Sequence, residues 1–172
     1  EDAQLQVGQQ GRFNGKPSIR RYLYGLTSGQ QGLVHGQLNN HFQLSPVITL
    51  SPDGLSARAR WRLMVQDGQL GSQANWGSGI YENEYVKQDG VWKIRRLHLY
   101  PTMITPYEDG WGKTSLQRSR FDAAARPDVA PAAPSSLYEH AFITPYHYAH
   151  PVRGASKAAT AAKPVATDPR AT

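Results

Sequence analysis

The chain has 172 residues, enough for one domain, and its low overall hydrophobicity is expected to come partly from a tail that is not folded. It contains no cysteine, which excludes disulfides, thiolate metal sites and a cysteine nucleophile. The net charge of +6 invites a nucleic-acid reading, but the basic residues are scattered over strands and tail rather than gathered on one helix, so no nucleic-acid partner is expected. No apolar run is long enough to span a bilayer, and no membrane partner is expected. Residue 1 is not followed by a cationic and then an apolar segment, so a cytoplasmic location is favoured, with the periplasm left open.

In chain order, Gln4-Leu5-Gln6-Val7 alternates as a short strand before a glycine-rich turn. Residues 14–26 read as a helix: Pro17 suits the first turn, Ile19, Tyr22, Leu23 and Leu26 make one apolar stripe, and Thr27-Ser28-Gly29 stops it. A long strand follows from Gln37 to Leu50. It is interrupted at Ser45-Pro46, where the missing proline amide implies an edge position or a bulge. Pro52-Asp53-Gly54 reverses the chain. From Leu55 to Val65, Ala57, Ala59, Trp61, Leu63 and Val65 alternate with Arg58, Arg60, Arg62 and Met64. Residues 68–75 read as a loop.

The densest signal lies between Trp76 and Trp111. Asp89-Gly90 between two β-branched and aromatic runs predicts a two-residue hairpin. Counting outward from that turn sets Gln88 opposite Val91, Lys87 opposite Trp92, Tyr85 opposite Ile94, Asn83 opposite Arg96 and Tyr81 opposite His98. Strand alternation then gathers Tyr81, Asn83, Tyr85, Trp92, Ile94, Arg96, His98 and Tyr100 on one face, a mixture of rings and polar heads that suits a ligand cavity. The other face carries Ile80, Glu82, Glu84, Val86, Lys93, Arg95, Leu97 and Leu99, which reads as solvated or subunit-facing and favours a homo-oligomer, dimer or trimer. Residues 101–111 remain rich in large side chains and are expected to pack at the sheet mouth.

The domain division follows from composition: a folded unit over 1–120, an Ala/Pro-rich linker over 121–136, an aromatic docking segment over 137–153 and a disordered tail over 154–172. The segment around Tyr138, His140, Tyr146, His147, Tyr148 and His150 is expected to dock on its own or a neighbouring subunit, because exposed aromatic clusters are a liability. The order of elements gives an α+β fold, a cone-shaped roll with a strongly curved antiparallel sheet wrapped around helices. One helix is too small to cover such a sheet, so one or two N-terminal helices are expected to precede residue 1 in the parent protein.

Several motifs together carry a family resemblance. Glu1-Asp2-Ala3, Gly15-Lys16-Pro17-Ser18-Ile19, Ala57-Arg58-Ala59-Arg60-Trp61, Trp76-Gly77-Ser78-Gly79-Ile80-Tyr81-Glu82-Asn83-Glu84-Tyr85 and Asp89-Gly90-Val91-Trp92-Lys93-Ile94 resemble the SnoaL-like branch of the nuclear transport factor 2-like superfamily over residues 1–111. That superfamily includes dehydratases, isomerases, epoxide hydrolases, small dioxygenase subunits and non-catalytic binding modules, so the resemblance implies a fold more firmly than a function. Thr105-Pro106-Tyr107-Glu108-Asp109-Gly110-Trp111 and Pro145-Tyr146-His147-Tyr148 resemble the sphingomonad cofactor-independent formaldehyde lyases that act on lignin-derived diaryl compounds. Members usually bring a tyrosine or aspartate into the pocket from their first helices, which this chain does not contain.

The expected activity is therefore that of a cofactor-free lyase, dehydratase or isomerase acting by acid–base chemistry on a hydrophobic aromatic or polycyclic alcohol. His98 is the expected general acid or base. Tyr81 and Tyr100 would position the substrate oxygen, Asn83 and Arg96 would stabilise developing negative charge, and Trp61, Trp76, Tyr85 and Trp92 would wall the cavity. Against this stands the reading of His98 as a satisfied core residue and of Arg96 as a partner for an acid. The arginine row 58, 60 and 62 reads first as a solvated or subunit-contacting face. His35 and His41 share no metal-ligand spacing with His98, and the later histidines fix no geometry, so no metal is expected. Two alternatives remain: a non-catalytic ligand-binding or assembly module, and the small subunit of a ring-hydroxylating dioxygenase.

Overall fold

The computed structural model describes residues 2–27, 29–114, 126–131 and 144–149. Strands β1 (Gln4–Val7), β2 (Gly11–Asn14), β3 (Gln37–Leu50), β4 (Ser56–Gln69), β5 (Gln73–Gln88) and β6 (Val91–Pro106) form one sheet in the order β2-β1-β6-β5-β4-β3. A single helix among the described residues, α1 (Gly15–Gly25), follows β2 directly. The fold is the expected α+β roll, but the sheet is mixed, because β1 runs parallel to β6. β2 lies outside the sequence-based expectation; it pairs with β1 through a 3-10 turn at Gly8–Gln10, which places Phe13 opposite Leu5. No helix among the described residues is long and apolar enough to cross a membrane.

α1 packs on the face that carries Leu5, Phe13 and Leu97. Phe13 is fully buried, with its ring centroid 4.6 Å from that of Tyr22, and Ile19 packs beside them. The predicted stripe is used only in part: Leu23 and Leu26 stay exposed. A second cluster on the same face joins Leu63, Val65, Tyr81 and Leu99, flanked by Val7, Trp61 and Leu97.

The proline interruption in β3 is realised in both expected ways. β3 is an edge strand, and its register shifts between Leu44 and Val47, with Ser45 at φ 49°. The alternation of β4 also holds, with Ala57, Ala59, Leu63 and Val65 buried and Arg58, Arg62 and Met64 on the other side. The expected loop at 68–75 is instead strand for most of its length. Gln69 pairs with Gln73, and the reversal is confined to Leu70-Gly71-Ser72.

The hairpin at Asp89-Gly90 forms as expected. Both residues have positive φ, 54° and 78°, which the right-handed twist of the flanking strands favours. Gln88, Lys87 and Tyr85 oppose Val91, Trp92 and Ile94 as counted. The register then slips by one residue between Glu84 and Tyr85, with Arg95 as the extra residue on β6. Beyond this bulge Glu84 opposes Arg96 and Tyr81 opposes Leu99. The expected pairs Asn83 with Arg96 and Tyr81 with His98 therefore do not form, because a single inserted residue exchanges the two faces of a strand. Arg96, His98 and Tyr100 lie on the face of Glu82 and Glu84, opposite α1; Leu97 and Leu99 take the α1 face beside Tyr81 and Asn83. A second slip between Ser78 and Gly79 leaves Thr102 as the extra residue.

Two of the segments that follow β6 rest on the sheet. Residues 126–131 bridge to β2 through Arg12 and Val129, and Asp128 accepts hydrogen bonds from the Asn14 amide and the Ser18 hydroxyl at the start of α1. Residues 144–149 lie on the face opposite α1, where the Pro145 carbonyl accepts from Arg60 and the Tyr146 ring covers the Arg60 guanidinium at 4.0 Å.

Candidate functional site

The bulge at Arg95 divides the residues singled out in the sequence between the two faces. On the α1 face, Tyr81 is buried in the core cluster and its hydroxyl oxygen lies 2.7 Å from His41 Nδ1. His41 reaches it from the edge strand: β3 sets His41 opposite Val65, and β4 sets Trp61 opposite Tyr81. Gly77 and Gly79 leave β5 bare beside Tyr81. A Cβ at either would stand 2.7 Å from a β6 carbonyl oxygen, so the close approach of β6 requires glycine there.

Burial pushes the Tyr81 hydroxyl up to about 12, with a smaller contribution from Tyr22. It therefore stays protonated across the physiological range and can donate a hydrogen bond. Beside the pair lies a small hollow of about 50 Å³ lined by Val7, Gln10, His41, Leu63, Val65 and Leu99 among others. Gln10 enters it from the 3-10 turn, with its side-chain oxygen accepting from the Tyr22 hydroxyl at 2.6 Å. Elsewhere on the same face Trp61 and Tyr85 are half-buried, and Ile48, Leu50, Trp92 and Ile94 are exposed.

Asn83 is 2% exposed and is committed to structure. Its side-chain oxygen accepts from the His98 backbone amide at 3.2 Å, and its nitrogen donates to the Tyr85 hydroxyl at 3.1 Å, to which Trp61 Nε1 also donates at 3.3 Å. Asn83 thus replaces the ladder bond that the bulge disturbs, and it does not meet Arg96.

On the opposite face, His98 and Tyr100 stack with centroids 3.9 Å apart, and Arg96 Nη2 donates to His98 Nδ1 at 3.3 Å. Since arginine can only donate, His98 carries its proton on Nε2. Burial, and then the Arg96 charge, lower the imidazole to about 4. It is neutral near pH 7 and a weak base. Burial likewise raises the Tyr100 hydroxyl. In the same face Glu82 is held by Arg60 and by His147 Nδ1 at 2.8 Å, and Glu84 lies 4.0 Å from Arg58. Arg58 and Arg60 of the arginine row thus pair with carboxylates of their own sheet. Trp76 shares the register of Gln66 and Thr105 at the far end of the sheet, and Trp92 is exposed at the hairpin tip with Lys87 above its ring.

Of the expected site residues, the structure gathers Tyr81, Tyr85 and Trp61 on the α1 face and Arg96, His98 and Tyr100 on the other. Sequence reasoning misses His41. Counting the Ser45-Pro46 bulge into the register from the Pro52-Asp53-Gly54 turn would set it opposite Val65, on the core face.

A family model for the SnoaL-like domain matches residues 1–98. The chain belongs to this family, within the nuclear transport factor 2-like superfamily. Among solved structures, a protein from Novosphingobium aromaticivorans provisionally assigned as a scytalone dehydratase is 22% identical with TM-score 0.51, the match covering 62% of this chain and 68% of that one. A hexachlorocyclohexane dehydrochlorinase, LinA type 2, is 18% identical with TM-score 0.50, covering 61% and 68%. A single-residue variant of Rv3472 from Mycobacterium tuberculosis, a protein of unknown function, is 22% identical with TM-score 0.48, covering 59% of this chain, and the match spans only 54% of its length. The first two likenesses support the fold and nothing beyond it. Comparison with curated proteins gives no match.

Proposed function

We propose that the protein is a cofactor-free lyase, dehydratase or isomerase, and that its acid–base chemistry belongs to His41 and Tyr81 on the α1 face. The observation that carries this reading is the 2.7 Å contact between His41 Nδ1 and the Tyr81 hydroxyl beside the small hollow. With its proton on Nδ1, shared with Tyr81, the imidazole has Nε2 as its basic nitrogen, the atom that would take a proton from a substrate carbon or hydroxyl. The Tyr81 hydroxyl, held protonated by burial, would donate to the oxygen on which charge develops. Trp61, Tyr85, Ile48, Leu50 and Ile94 offer a floor for a hydrophobic aromatic or polycyclic alcohol. The provisional name of the Novosphingobium structure and the dehydrochlorinase activity named for LinA agree in type with elimination chemistry. The narrower reading, formaldehyde release from a lignin-derived diaryl alcohol, is the first member of the substrate panel to test.

The test is turnover of a panel of aromatic and polycyclic alcohols by the wild-type chain and by His41→Ala, Tyr81→Phe and His98→Ala. Loss of the catalytic base is expected to lower the rate by roughly 10²–10⁴ in His41→Ala, whereas His98→Ala retains activity. Unchanged turnover in His41→Ala overturns the assignment. Ligand binding without turnover in the wild type supports the non-catalytic module instead.

A further inference from the structure

The face opposite α1 holds a cleft of about 220 Å³ beneath residues 144–149, bordered by the carboxylates Glu82 and Glu84 as well as by Arg58, Arg96, His98, Tyr100 and Tyr146. We propose that this cleft is a second binding site, for a small aromatic carboxylate, with the anion on Arg96 and the His98 Nε2–H and the ring against Tyr100 and Tyr146. It shares no residue with the His41–Tyr81 pair and stands whether or not that pair is catalytic.

The charge pattern on this face points to an anion. Glu82 is engaged by Arg60 and His147, and Glu84 has Arg58 at 4.0 Å. Arg96 stands opposite Glu84 in the register of β5 and β6, yet among the described residues it makes no ion pair, Glu84 having Arg58 instead. Its hydrogen bonds there run to neutral acceptors, Gln6 Oε1 at 3.1 Å and His98 Nδ1 at 3.3 Å. A carboxylate is the acceptor whose geometry suits a guanidinium. His98 adds a second donor, because the Arg96 contact fixes its proton on Nε2 and burial keeps the ring neutral.

The walls favour a flat apolar body. His98 and Tyr100 present stacked rings, and Tyr146 meets Tyr148 edge-on at 5.3 Å above the cleft. The volume is below the roughly 300–1,000 Å³ of drug-sized pockets, which suits a single ring. The roof is fastened independently of any ligand: His147 bridges Glu82 at 2.8 Å and the Thr49 hydroxyl at 3.2 Å.

Benzoate is the probe and benzyl alcohol its neutral control, with binding followed by calorimetry and by the imidazole NMR signals of the full chain. Benzoate is expected to bind at millimolar or lower concentration and to shift the His98 signals, while benzyl alcohol leaves them in place. Arg96→Gln, which removes a charge-assisted contact, is expected to weaken benzoate by roughly 10- to 100-fold. Tyr146 is exposed, so Tyr146→Ala tests the roof without touching the core and is expected to weaken binding by roughly 3- to 10-fold, as for the loss of other ring contacts. His41→Ala should bind benzoate as the wild type does. The proposal is overturned if benzoate fails to bind at millimolar concentration, if Arg96→Gln and Tyr146→Ala bind it unchanged, or if His41→Ala abolishes its binding.

Discussion

His98 gives the fold a specific sensitivity to acid. The imidazole is lowered from 6.5 to about 4, first by burial and then by the Arg96 charge. Between those two values the unfolded chain binds a proton that the folded chain refuses, so stability is full above about pH 6.5 and falls as the pH drops toward 4. At ~1.4 kcal/mol for each pH unit, the ceiling of this loss is ~3.4 kcal/mol. The ring borders an open cleft, and solvent screening reduces the expected loss to about 2 kcal/mol. Asp53 and Asp128 are both held below the usual carboxylate value, Asp53 by the Ser51 hydroxyl and Asp128 by the Asn14 amide, so they titrate under this window. Urea unfolding of the wild type and of His98→Gln from about pH 7 to about pH 4.5 isolates the histidine, since glutamine preserves an acceptor for Arg96. The wild type should lose about 2 kcal/mol more than the variant across that range. Parallel profiles, or an NMR titration of His98 centred near 6.5, would refute the reasoning.

Phe13→Ala empties the most enclosed apolar position between α1 and β1, beside Leu5 and Tyr22, and should cost about 3–5 kcal/mol in chemical denaturation. Asn83→Ala strips the acceptor from the buried His98 amide and a donor from Tyr85. It should cost about 1–3 kcal/mol and broaden the His98 amide signal, while leaving the charge pattern of the Arg96 cleft intact.

The sequence carried the hairpin correctly as far as Tyr85 and Ile94, because a two-residue turn fixes register and Asp89-Gly90 names the turn type. It failed at Arg95, since a bulge depends on which of two pairings buries more and balances more charge, and that comparison requires the neighbouring strands. The information was nevertheless present. Without the bulge Leu97 and Leu99 share a face with Glu82 and Glu84, and Arg96 and His98 crowd Tyr81 and Asn83. With the bulge the leucines join Leu63 and Tyr81, and Arg96 faces Glu84. The same reasoning explains His41: the Ser45-Pro46 irregularity was legible as a bulge, but only its added residue, counted through β3, puts the imidazole on the core face opposite Val65. The assignment of β4 needed no such correction, because its alternation of apolar residues with arginines is unbroken.

These bulges also bear on function. A regular hairpin would have concentrated His98, Tyr81, Asn83 and Arg96 in one mixed pocket, with an arginine charge beside the imidazole and the phenol. The slip at Arg95 segregates them. The α1 face keeps the His41 imidazole, the Tyr81 phenol and their apolar neighbours, apart from the charges of the other face. The other face collects the guanidinium groups, carboxylates and His98, where Arg58 and Arg60 pair with Glu84 and Glu82 and, among the described residues, Arg96 makes no ion pair. Restoring regular register by deleting Arg95 should therefore do more than destabilise the sheet. It would turn Leu97 and Leu99 out of the core and Arg96 toward Tyr81, so the chain would have to bury a charge or surrender the pairing of β6 with β1, and neither face could keep its chemistry.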